Sequence, residues 1–264
     1  MKTLPNARFV TITALNDPHR LYLSPVAAEV LARWTARTQS WGVLIREHNP
    51  YLLLGPKDRQ LPLLDDALNW AQAQGYPVYM RVGGGSAVVL DRSCLSFAVT
   101  RPCRDLTTWQ QNFRDMSQGV IDGLRIMGIP ANFGRAEGSY CEGPFDLVSS
   151  RGQKIAGIAQ AIRGGAALVS GMILVRQDPV ATTRFIQEFY QRAGSQQVLK
   201  AHVVTALNQF SSHVSIQDVY DALILGLQQH YHLVSQPFSQ EEWQEAHDLL
   251  AVRCLRDPIE EITG

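Results

Sequence analysis

The chain has 264 residues, of which 24 are basic and 24 acidic, so its formal net charge is zero when the histidines are neutral. This balance offers no basic field for nucleic acid and no basic run for an anionic membrane surface. Hydrophobic residues make up 45% and charged residues 18% of the chain, which is typical of a soluble globular protein. We predict a single domain over residues 1–264.

The cysteine pattern predicts a reducing compartment. Cys94, Cys103, Cys141 and Cys254 are scattered, and no pair has the C-x-x-C spacing of a zinc site or a redox dithiol. The first residues lack the apolar run of a signal peptide, and no apolar stretch approaches transmembrane length. We therefore expect a cytoplasmic protein with reduced cysteines and no metal site.

The first hundred residues alternate between strand and helix signals. The predicted segments are a strand at 9–14, a helix from Ser24, strands at 43–46 and 51–55, a helix at 63–74, and strands at 77–82, 87–90 and 95–100. Ser24 is the predicted N-cap of the first helix, with Pro25 at its first position. The strands at 43–46 and 51–55 are predicted to pair around a turn at Asn49 and Pro50.

The remaining residues predict a central hairpin followed by helices. The predicted segments are a long helix that Asp105 caps and that ends near 128–130, hairpin strands at 145–149 and 154–162, a strand at 166–175, and a helical region over about 178–264. Ser215 with Asp218, and Ser239 with Glu242, have capping-box spacing. Strict strand-helix alternation is missing, so we predict an α+β (mixed α/β) fold rather than a doubly wound parallel sheet.

A run of three glycines interrupts the predicted strands near residue 84. The sequence RVGGGSAVVLD occupies residues 81–91, and its glycines allow close approach of a ligand to exposed backbone amides. The run is neither a P-loop nor a G-x-G-x-x-G motif, and glycines within a strand also mark simple bends. Arg81 and Asp91 flank the run and are candidates for a structural ion pair.

Cys141 and Lys154 are the candidate reactive side chains. Cys141 lies in a loop between Gly138 and Gly143, and Lys154 begins an apolar strand. A hairpin at this point brings distant side chains together, and a nearby ammonium would raise the thiolate fraction of the cysteine. Lysine is rare in this chain, and its pKa responds to burial in a way that arginine's does not. The alternatives are an inert packed cysteine and an ordinary lysine at a strand end.

Two motifs resemble those of the lipoate/biotin protein ligase and octanoyltransferase superfamily. RVGGGSAVVLD at 81–91 resembles its glycine-rich signature, and GQKIAGIAQ at 152–160 resembles its second signature, in which the lysine contacts the acyl carbonyl. GSYCEGPFDL at 138–147 looks like the segment around the nucleophile in the cysteine-dependent amidotransferase branch. The resemblance spans roughly residues 20–250 by element order. It implies the ligase catalytic-domain fold, with a mostly antiparallel or mixed sheet flanked by helices.

The sequence departs from two other branches of the superfamily, and the first departure, from the ATP-using ligases, favours the amidotransferase branch. ATP-using ligases carry a histidine before the aspartate of the first signature, where this chain has Leu90 before Asp91. The enteric octanoyltransferases place their nucleophile after the lysine motif, near Gly171, where this chain has no cysteine.

The resemblance implies an acyltransferase that moves an octanoyl (or lipoyl) group from the glycine-cleavage H protein to lipoyl domains of 2-oxo acid dehydrogenases. Cys141 would form a thioester and Lys154 would orient the carbonyl, with no cofactor, because one amide is exchanged for another. The implied substrate-binding residues are Arg81, Gly83, Gly84, Gly85, Ser86, Asp91 and Gly157. The candidates for lining an acyl tunnel are Val88, Val89, Leu90, Ile155 and Ile158.

Three alternatives stay open at this point. In the first, the octanoyl donor is the acyl carrier protein rather than the H protein. In the second, the enzyme is a ligase that uses free lipoate and ATP instead of an acylated donor protein. The third is a non-catalytic module that binds lipoyl domains. Neither a nucleic acid nor a membrane is expected as a partner.

Overall fold

The computed structural model of the protein describes residues 3–256. The helices are α1 (Ser24–Thr38), α2 (Leu64–Ala73), α3 (Trp109–Ile126), α4 (Pro179–Arg192), α5 (Ile216–Gln228) and α6 (Gln240–Arg253). The strands are β1 (Asn6–Ile12), β2 (Trp41–Arg46), β3 (Tyr51–Leu54), β4 (Val78–Met80), β5 (Val88–Leu90), β6 (Cys94–Pro102), β7 (Asn132–Gly134), β8 (Asp146–Val148), β9 (Lys154–Arg163), β10 (Ala166–Leu174), β11 (His232–Ser235) and β12 (Cys254–Arg256). The mixed α+β fold predicted from the sequence is confirmed.

The strands form two sheets. The larger has the order β11-β1-β2-β6-β10-β9-β8-β7, and the smaller has the order β12-β4-β3-β5. In the larger sheet β1 runs parallel to β2 and β11, whereas the other neighbours are antiparallel. This is the mixed, mostly antiparallel sheet that the sequence predicts.

Helices cover both faces of the larger sheet. Phe97 of the sheet packs with Val120 of α3 and Leu223 of α5 in one buried cluster. On the opposite face, a second cluster joins the sheet to α1 and α6, while the smaller sheet packs with α2 and α4 in a third. The small sheet thus lies over part of the large one, and a pocket opens between them.

The predicted pairing of residues 43–46 with 51–55 is wrong. β2 lies between β1 and β6 in the large sheet, whereas β3 lies between β4 and β5 in the small one. The connection turns at His48, which is fully buried and whose ring is hydrogen-bonded to the hydroxyls of Ser24, Tyr51 and Ser96. A buried corner with its own polar partners replaces the tight hairpin turn.

The hydrogen bond between Ser24 and His48 explains why Ser24 is not the N-cap of α1. A 3-10 helix over Pro18–Leu23 runs directly into α1, and Leu23 occupies the cap position. The Ser24 hydroxyl lies 2.7 Å from Nδ1 of His48 instead. Asp105 likewise caps a short 3-10 turn, Leu106–Thr108, through the amide of Thr107, and α3 follows that turn.

The region after residue 178 is not purely helical. β11 extends the large sheet by pairing with β1, and β12 pairs with β4. Both predicted capping boxes are confirmed at the starts of α5 and α6. The predicted helical region ran to residue 264, and residues 257–264 lie outside the described part of the chain. Between residues 3 and 256, each helix is too short or too polar to cross a lipid bilayer.

Candidate active site

Cys141 lies in the loop between β7 and β8, at the pocket between the two sheets. Its backbone φ of 47° lies in the left-handed region that residues other than glycine rarely adopt. Such strained residues persist only where their surroundings hold them, and they concentrate at functional sites. Here the conformation of Cys141 is held by hydrogen bonds to its thiol from Arg81 and the Ser86 amide, and to its carbonyl from Lys154.

The glycine-rich loop encloses the thiol. The backbone amide of Ser86 donates to Sγ of Cys141 at 3.2 Å, and Nη2 of Arg81 lies 3.2 Å from the same sulfur. Gly85 has a φ of 102°, and a Cβ added there would lie 2.6 Å from Nη2 of Arg81 and 2.7 Å from Sγ of Cys141. Only glycine therefore lets this backbone approach both groups so closely.

Arg81 stabilises the conformation of the glycine-rich loop through hydrogen bonds to backbone carbonyls. Its guanidinium donates to the carbonyls of Gly84 at 3.1 Å, Ser86 at 2.6 Å and Leu53 at 3.3 Å. The expected ion pair with Asp91 does not form, since the Asp91 carboxylate accepts from the Ser93 amide at 2.7 Å. Arg81 is instead bound by backbone carbonyls, and its charge acts both on the cysteine sulfur and on the buried carboxylate of Asp58.

These contacts change the acidity of the cysteine. Burial alone would raise the pKa of the Cys141 thiol, but the charges of Arg81 and Lys154 and the Ser86 amide outweigh burial and lower that pKa below its ordinary value. A lowered pKa increases the fraction of thiolate, the nucleophilic form. Cys94, by contrast, is fully buried, and burial raises the pKa of its thiol. Of these two cysteines, only Cys141 has the lowered pKa that favours a nucleophilic thiolate.

The hairpin of β8 and β9 brings Lys154 to Cys141, as the sequence predicted. Nζ of Lys154 donates to the carbonyl of Cys141 at 2.7 Å and to that of Tyr140 at 3.1 Å. The side chain is 1% exposed and makes an ion pair with Asp146 at 2.9 Å. All three ammonium hydrogens therefore have protein acceptors, and two of them hold the strained loop around Cys141.

Asp146 is a site residue that the sequence reasoning missed. Its carboxylate accepts from the amides of Gly143 at 2.9 Å and Ile158 at 3.2 Å in addition to binding Lys154. Burial raises the pKa of Asp146, and the Lys154 ammonium and the two amides partly offset this effect. The available signal was an acidic residue inside an apolar strand, because a buried carboxylate demands a cation or several donors.

The pocket next to the thiol is mostly apolar. Of the predicted tunnel residues, Val88, Leu90 and Ile158 line it, whereas Val89 and Ile155 do not. Ile155 belongs to the cluster on the opposite face of the large sheet, because alternate residues of β9 point to opposite faces. The remaining apolar lining comes from neighbouring strands and comprises Leu53, Ala159, Gly171 and Met172.

The predicted substrate-binding residues occupy different places. Arg81 and Gly157 line the pocket, and a Cβ at Gly157 would come within 3.2 Å of Nζ of Lys154. Gly83, Gly84, Gly85 and Ser86 form the loop over the thiol. Asp91 lies beyond β5, where Gln177 and Ser93 bind it, and is not part of the pocket lining.

The two signatures, the loop cysteine and the fold agree with a comparison to known families. A sequence model of the Lipoyl protein ligase A/B catalytic domain matches residues 26–228. The chain belongs to this family. Among members of the family, octanoyl-[GcvH]:protein N-octanoyltransferase of Exiguobacterium sp. is 34% identical over 161 residues, which cover 60% of this chain and 57% of that one. The protein of the same name from Staphylococcus epidermidis is 30% identical over 210 residues, or 74% of each chain.

The extent of these matches differs between relatives. The chain spans 57% of the length of the Exiguobacterium protein and 51% of that of the Geobacillus kaustophilus protein of the same name. The matches therefore establish the family, while activity, substrates and partners are proposals.

Solved structures share the fold over nearly the whole chain. A putative lipoate protein ligase from Thermoplasma acidophilum with bound lipoic acid superposes with a TM-score of 0.72 at 24% identity, covering 94% of this chain and 95% of that one. A lipoate-protein ligase A bound with ATP gives a TM-score of 0.70 at 23% identity, with the same coverage. These neighbours confirm the ligase catalytic-domain fold that the resemblance implied.

Proposed function

We propose that the protein is an acyltransferase that moves an octanoyl group from a lysine of the glycine-cleavage H protein to a lysine of a lipoyl domain. The observation that carries this proposal is the Cys141 thiol, whose pKa is lowered by Arg81, Lys154 and the Ser86 amide against the effect of burial. A thiolate at the mouth of an apolar pocket is suited to attack an acyl carbonyl whose chain occupies that pocket. The name shared by the relatives supports the same donor.

The first half-reaction forms a thioester. The Cys141 sulfur attacks the amide carbonyl, forming a C–S bond, and the carbonyl oxygen becomes an oxyanion. Collapse of this intermediate breaks the C–N bond, and the departing lysine nitrogen takes a proton from the ammonium of Lys154, which becomes a neutral amine. The products are the octanoyl thioester of Cys141 and the free amine of the donor carrier.

The second half-reaction regenerates the thiol. The amine of the acceptor lysine attacks the thioester, a new C–N bond forms and the C–S bond breaks. The proton released from the attacking amine returns to Lys154, which restores the ammonium beside the freed sulfur of Cys141. One amide replaces another overall, so the balance requires no ATP and no reductant. The kinetics are expected to be ping-pong.

We assign to Lys154 the tasks of orienting the carbonyl and carrying the transferred proton. Its ammonium lies in the pocket lining beside Cys141, but the carbonyls of Tyr140 and Cys141 occupy two of its three hydrogens. Binding of the acyl oxygen would therefore replace one of these carbonyl contacts. Such an exchange couples substrate binding to the position of the Cys141 loop.

Gly171 supports the choice of Cys141 as the nucleophile. A Cβ at Gly171 would lie 2.5 Å from Cε1 of Phe97, which belongs to the core behind the sheet. A cysteine at this position would displace a buried aromatic ring, so residue 171 has no room for a nucleophile.

The test is a transfer assay without ATP. Octanoylated H protein serves as the donor and an apo lipoyl domain as the acceptor, with octanoyl-acyl carrier protein as a parallel donor. We expect transfer from the H protein, a thioester adduct detectable by mass spectrometry, and loss of both in Cys141→Ala. Matched Cys103→Ala, which changes a cysteine outside the pocket lining, should retain transfer.

The outcomes separate the alternatives. Transfer only from the acyl carrier protein would replace the donor and keep the cysteine mechanism. Transfer that needs ATP and persists in Cys141→Ala would overturn the mechanism in favour of ligation. Carrier binding without any transfer would indicate a non-catalytic module. Because the donor and acceptor carriers in this proposal are cytoplasmic proteins, we also propose that this protein acts in the cytoplasm.

A further inference from the structure

A tyrosine of α4 holds the end of the glycine-rich loop through a buried pair of hydrogen bonds. Tyr190 is not among the described residues that line the pocket. The backbone amide of Ala87, which directly follows the loop, donates to the Tyr190 hydroxyl oxygen at 2.9 Å. The same hydroxyl donates to Oδ1 of Asp58 at 2.9 Å. Tyr190 and Asp58 are each 2% exposed, so water does not compete for either hydrogen bond.

The direction of these two hydrogen bonds is fixed by the groups that make them. Burial and the negative charge of Asp58 raise the pKa of Tyr190, so its hydroxyl keeps its proton at neutral pH. Burial raises the pKa of Asp58, but the Gly55 amide and the Tyr190 hydroxyl that bind it act in the opposite direction. A tyrosine hydroxyl has one proton, which goes to the carboxylate, and its oxygen accepts from the amide of Ala87. Asp58 therefore orients Tyr190, and Tyr190 orients the backbone at Ala87.

Asp58 also secures the strand end that packs against the loop. It lies in the 3-10 helix Pro56–Gln60, and its Oδ2 accepts from the amide of Gly55 at 2.9 Å. A Cβ added at Gly55 would overlap the carbonyl oxygen of Gly85 and would lie 2.9 Å from the nitrogen of Ser86. One carboxylate thus holds two supports of the same loop segment, the end of β3 and the tyrosine of α4.

These supports meet at Ser86. Its amide donates to Sγ of Cys141 at 3.2 Å, and its carbonyl accepts from Nη2 of Arg81 at 2.6 Å. The peptide group before Ser86 packs against Gly55, and the N–H of the peptide group after it binds Tyr190. Rotation of either peptide group would turn the Ser86 N–H away from the sulfur. The aim of a donor at a reactive atom depends on such supporting contacts.

We propose that Tyr190 is a positioning residue of the active site, which, together with Asp58, keeps the Ser86 amide directed at the sulfur of Cys141. The proposal rests on the acyl transfer proposed above, because it gives α4 a role in preparing the nucleophile of that reaction. Tyr190 acts through the loop rather than on the substrate. Loss of its hydroxyl releases the Ala87 amide, allows the Ser86 amide to move away, and weakens a hydrogen bond that stabilises the thiolate.

The first test measures the acidity of Cys141 without any acyl donor. The rate of alkylation of Cys141 by iodoacetamide is followed against pH by mass spectrometry in the unmodified protein and in Tyr190→Phe. Weakening one hydrogen bond to the thiolate should lower the rate at pH 7 about threefold and move the half-maximum of the profile to higher pH by roughly 0.5. An unchanged profile in Tyr190→Phe would overturn the proposal.

Two control variants separate positioning from a general loss of stability. Tyr76→Phe removes a hydroxyl from the same cluster of apolar side chains, where the Tyr76 ring packs on Phe185 of α4. Ile186→Val removes a buried methyl group from α4 and lowers the stability of the protein. Both should keep the alkylation profile of the unmodified protein. A shift in either control as large as that in Tyr190→Phe would show that loosening α4 is enough to change the thiol, and would overturn the proposal.

Hydrogen–deuterium exchange locates the change in the loop. The Ala87 amide should be protected in the unmodified protein, and exchange of residues 84–90 should be about fivefold or more faster in Tyr190→Phe. Asp58→Ala, which removes the acceptor of the Tyr190 proton, should accelerate exchange of the same residues. Rapid exchange of Ala87 in the unmodified protein would overturn the proposal even if neither variant folded.

Single-turnover acylation separates this proposal from the proposed function. With octanoylated H protein as the donor, Tyr190→Phe should lower the maximal rate of thioester formation about threefold and leave the half-saturating donor concentration unchanged. A change in the half-saturating concentration alone would assign Tyr190 to donor binding and overturn its positioning role. Transfer by the unmodified protein without an alkylation shift in Tyr190→Phe would refute only the positioning role. The shift without any transfer would refute only the proposed function.

Discussion

The sulfur of Cys141 is surrounded by donors from a different part of the chain, and its acidity depends on them. Arg81 Nη2 and the Ser86 amide each lie 3.2 Å from Sγ. Their combined effect exceeds that of burial, which acts in the opposite direction on the pKa of the thiol. The reactive state is therefore a property of the contact between two loops rather than of the cysteine itself.

Arg81→Met is expected to make Cys141 less acidic. Removing the guanidinium removes a positive charge that favours the thiolate, so the pKa of the Cys141 thiol should rise. The rate of alkylation by iodoacetamide, followed against pH by mass spectrometry, should reach its half-maximum at a higher pH than in the unmodified protein. Arg114→Met serves as the control, and an unchanged pH profile in Arg81→Met would contradict this account.

Asp146→Asn is expected to destabilise the protein. The change leaves the ammonium of Lys154 buried at 1% exposure without its counter-charge. Breaking one partner of a buried ion pair lowers the free energy of unfolding by about 3 kcal/mol. Urea unfolding measures this loss. Asp66→Asn, on the exposed face of α2, should change the free energy of unfolding by less than about 0.5 kcal/mol, and an equal effect of both variants would disprove the pairing argument.

At the scale of elements, the site depends on the contact between the glycine-rich loop and the loop that precedes β8. The amide of Gly84 donates to the carbonyl of Gln160 in β9 at 3.3 Å, which ties the loop to the large sheet. The carbonyl of Gly85 approaches Gly55, at the end of β3, so closely that a Cβ on Gly55 would overlap it. The loop is thus held between the two sheets.

Gly85→Ala and Gly84→Ala should behave differently. A Cβ at Gly85 requires a strained φ of 102° and meets both Arg81 and Cys141, whereas a Cβ at Gly84 meets nothing within 4 Å. We expect Gly85→Ala to lower the free energy of unfolding by about 1–3 kcal/mol and to slow alkylation of Cys141. Gly84→Ala should retain both properties. Equal effects of the two variants would show that the loop does not pack against the thiol as described.

At the scale of the whole molecule, an ion pair joins the first strand to the last helix. Nη1 and Nη2 of Arg8 in β1 each lie 2.7 Å from a carboxylate oxygen of Glu242 in α6. The two side chains are 3% and 9% exposed. Arg8 also donates to the carbonyls of Gln236 and Pro237. One side chain therefore holds both α6 and the segment between β11 and α6 against β1.

Arg8→Met is expected to cost about 3 kcal/mol of unfolding free energy at pH 7. Burial alone would raise the pKa of Glu242, but Arg8 and the Ser239 amide lower it overall. A carboxylate with a lowered folded-state pKa stabilises the fold above its unfolded value of about 4.3, and this contribution is lost as the pH falls through the folded-state pKa. The difference between Arg8→Met and the unmodified protein should therefore shrink below about pH 4.

Urea unfolding between pH 7 and pH 3 measures this dependence. Arg33→Met provides the matched control, because Arg33 is 45% exposed and pairs with Glu29 and Glu245 at the surface. Its loss should cost less than about 1 kcal/mol. A cost of Arg8→Met that stayed constant down to pH 3 would contradict the role given to Glu242.

Local sequence signals determined most elements and the identity of the reactive pair. Turn residues and apolar alternation predicted the hairpin that carries Lys154, and the capping boxes predicted the starts of α5 and α6, because these features depend on residues close in the chain. The two signatures likewise indicated the family through short motifs. Cys141 and Lys154 were expected to be neighbours because a tight turn joins the strand that follows the cysteine to the lysine strand.

Only the tertiary structure decided which strands pair and which groups surround the thiol. β2 and β3 are adjacent in the chain, yet a buried corner at His48 sends them into different sheets, since side-chain burial outweighs the local turn preference. The contacts of Cys141 with Arg81 and of Arg8 with Glu242 join residues far apart in the chain. Asp146 gains its importance from burial, because a charge that is unremarkable in water becomes costly when it is removed from water. Burial of a single polar side chain is set by the whole fold, so the local sequence cannot reveal it.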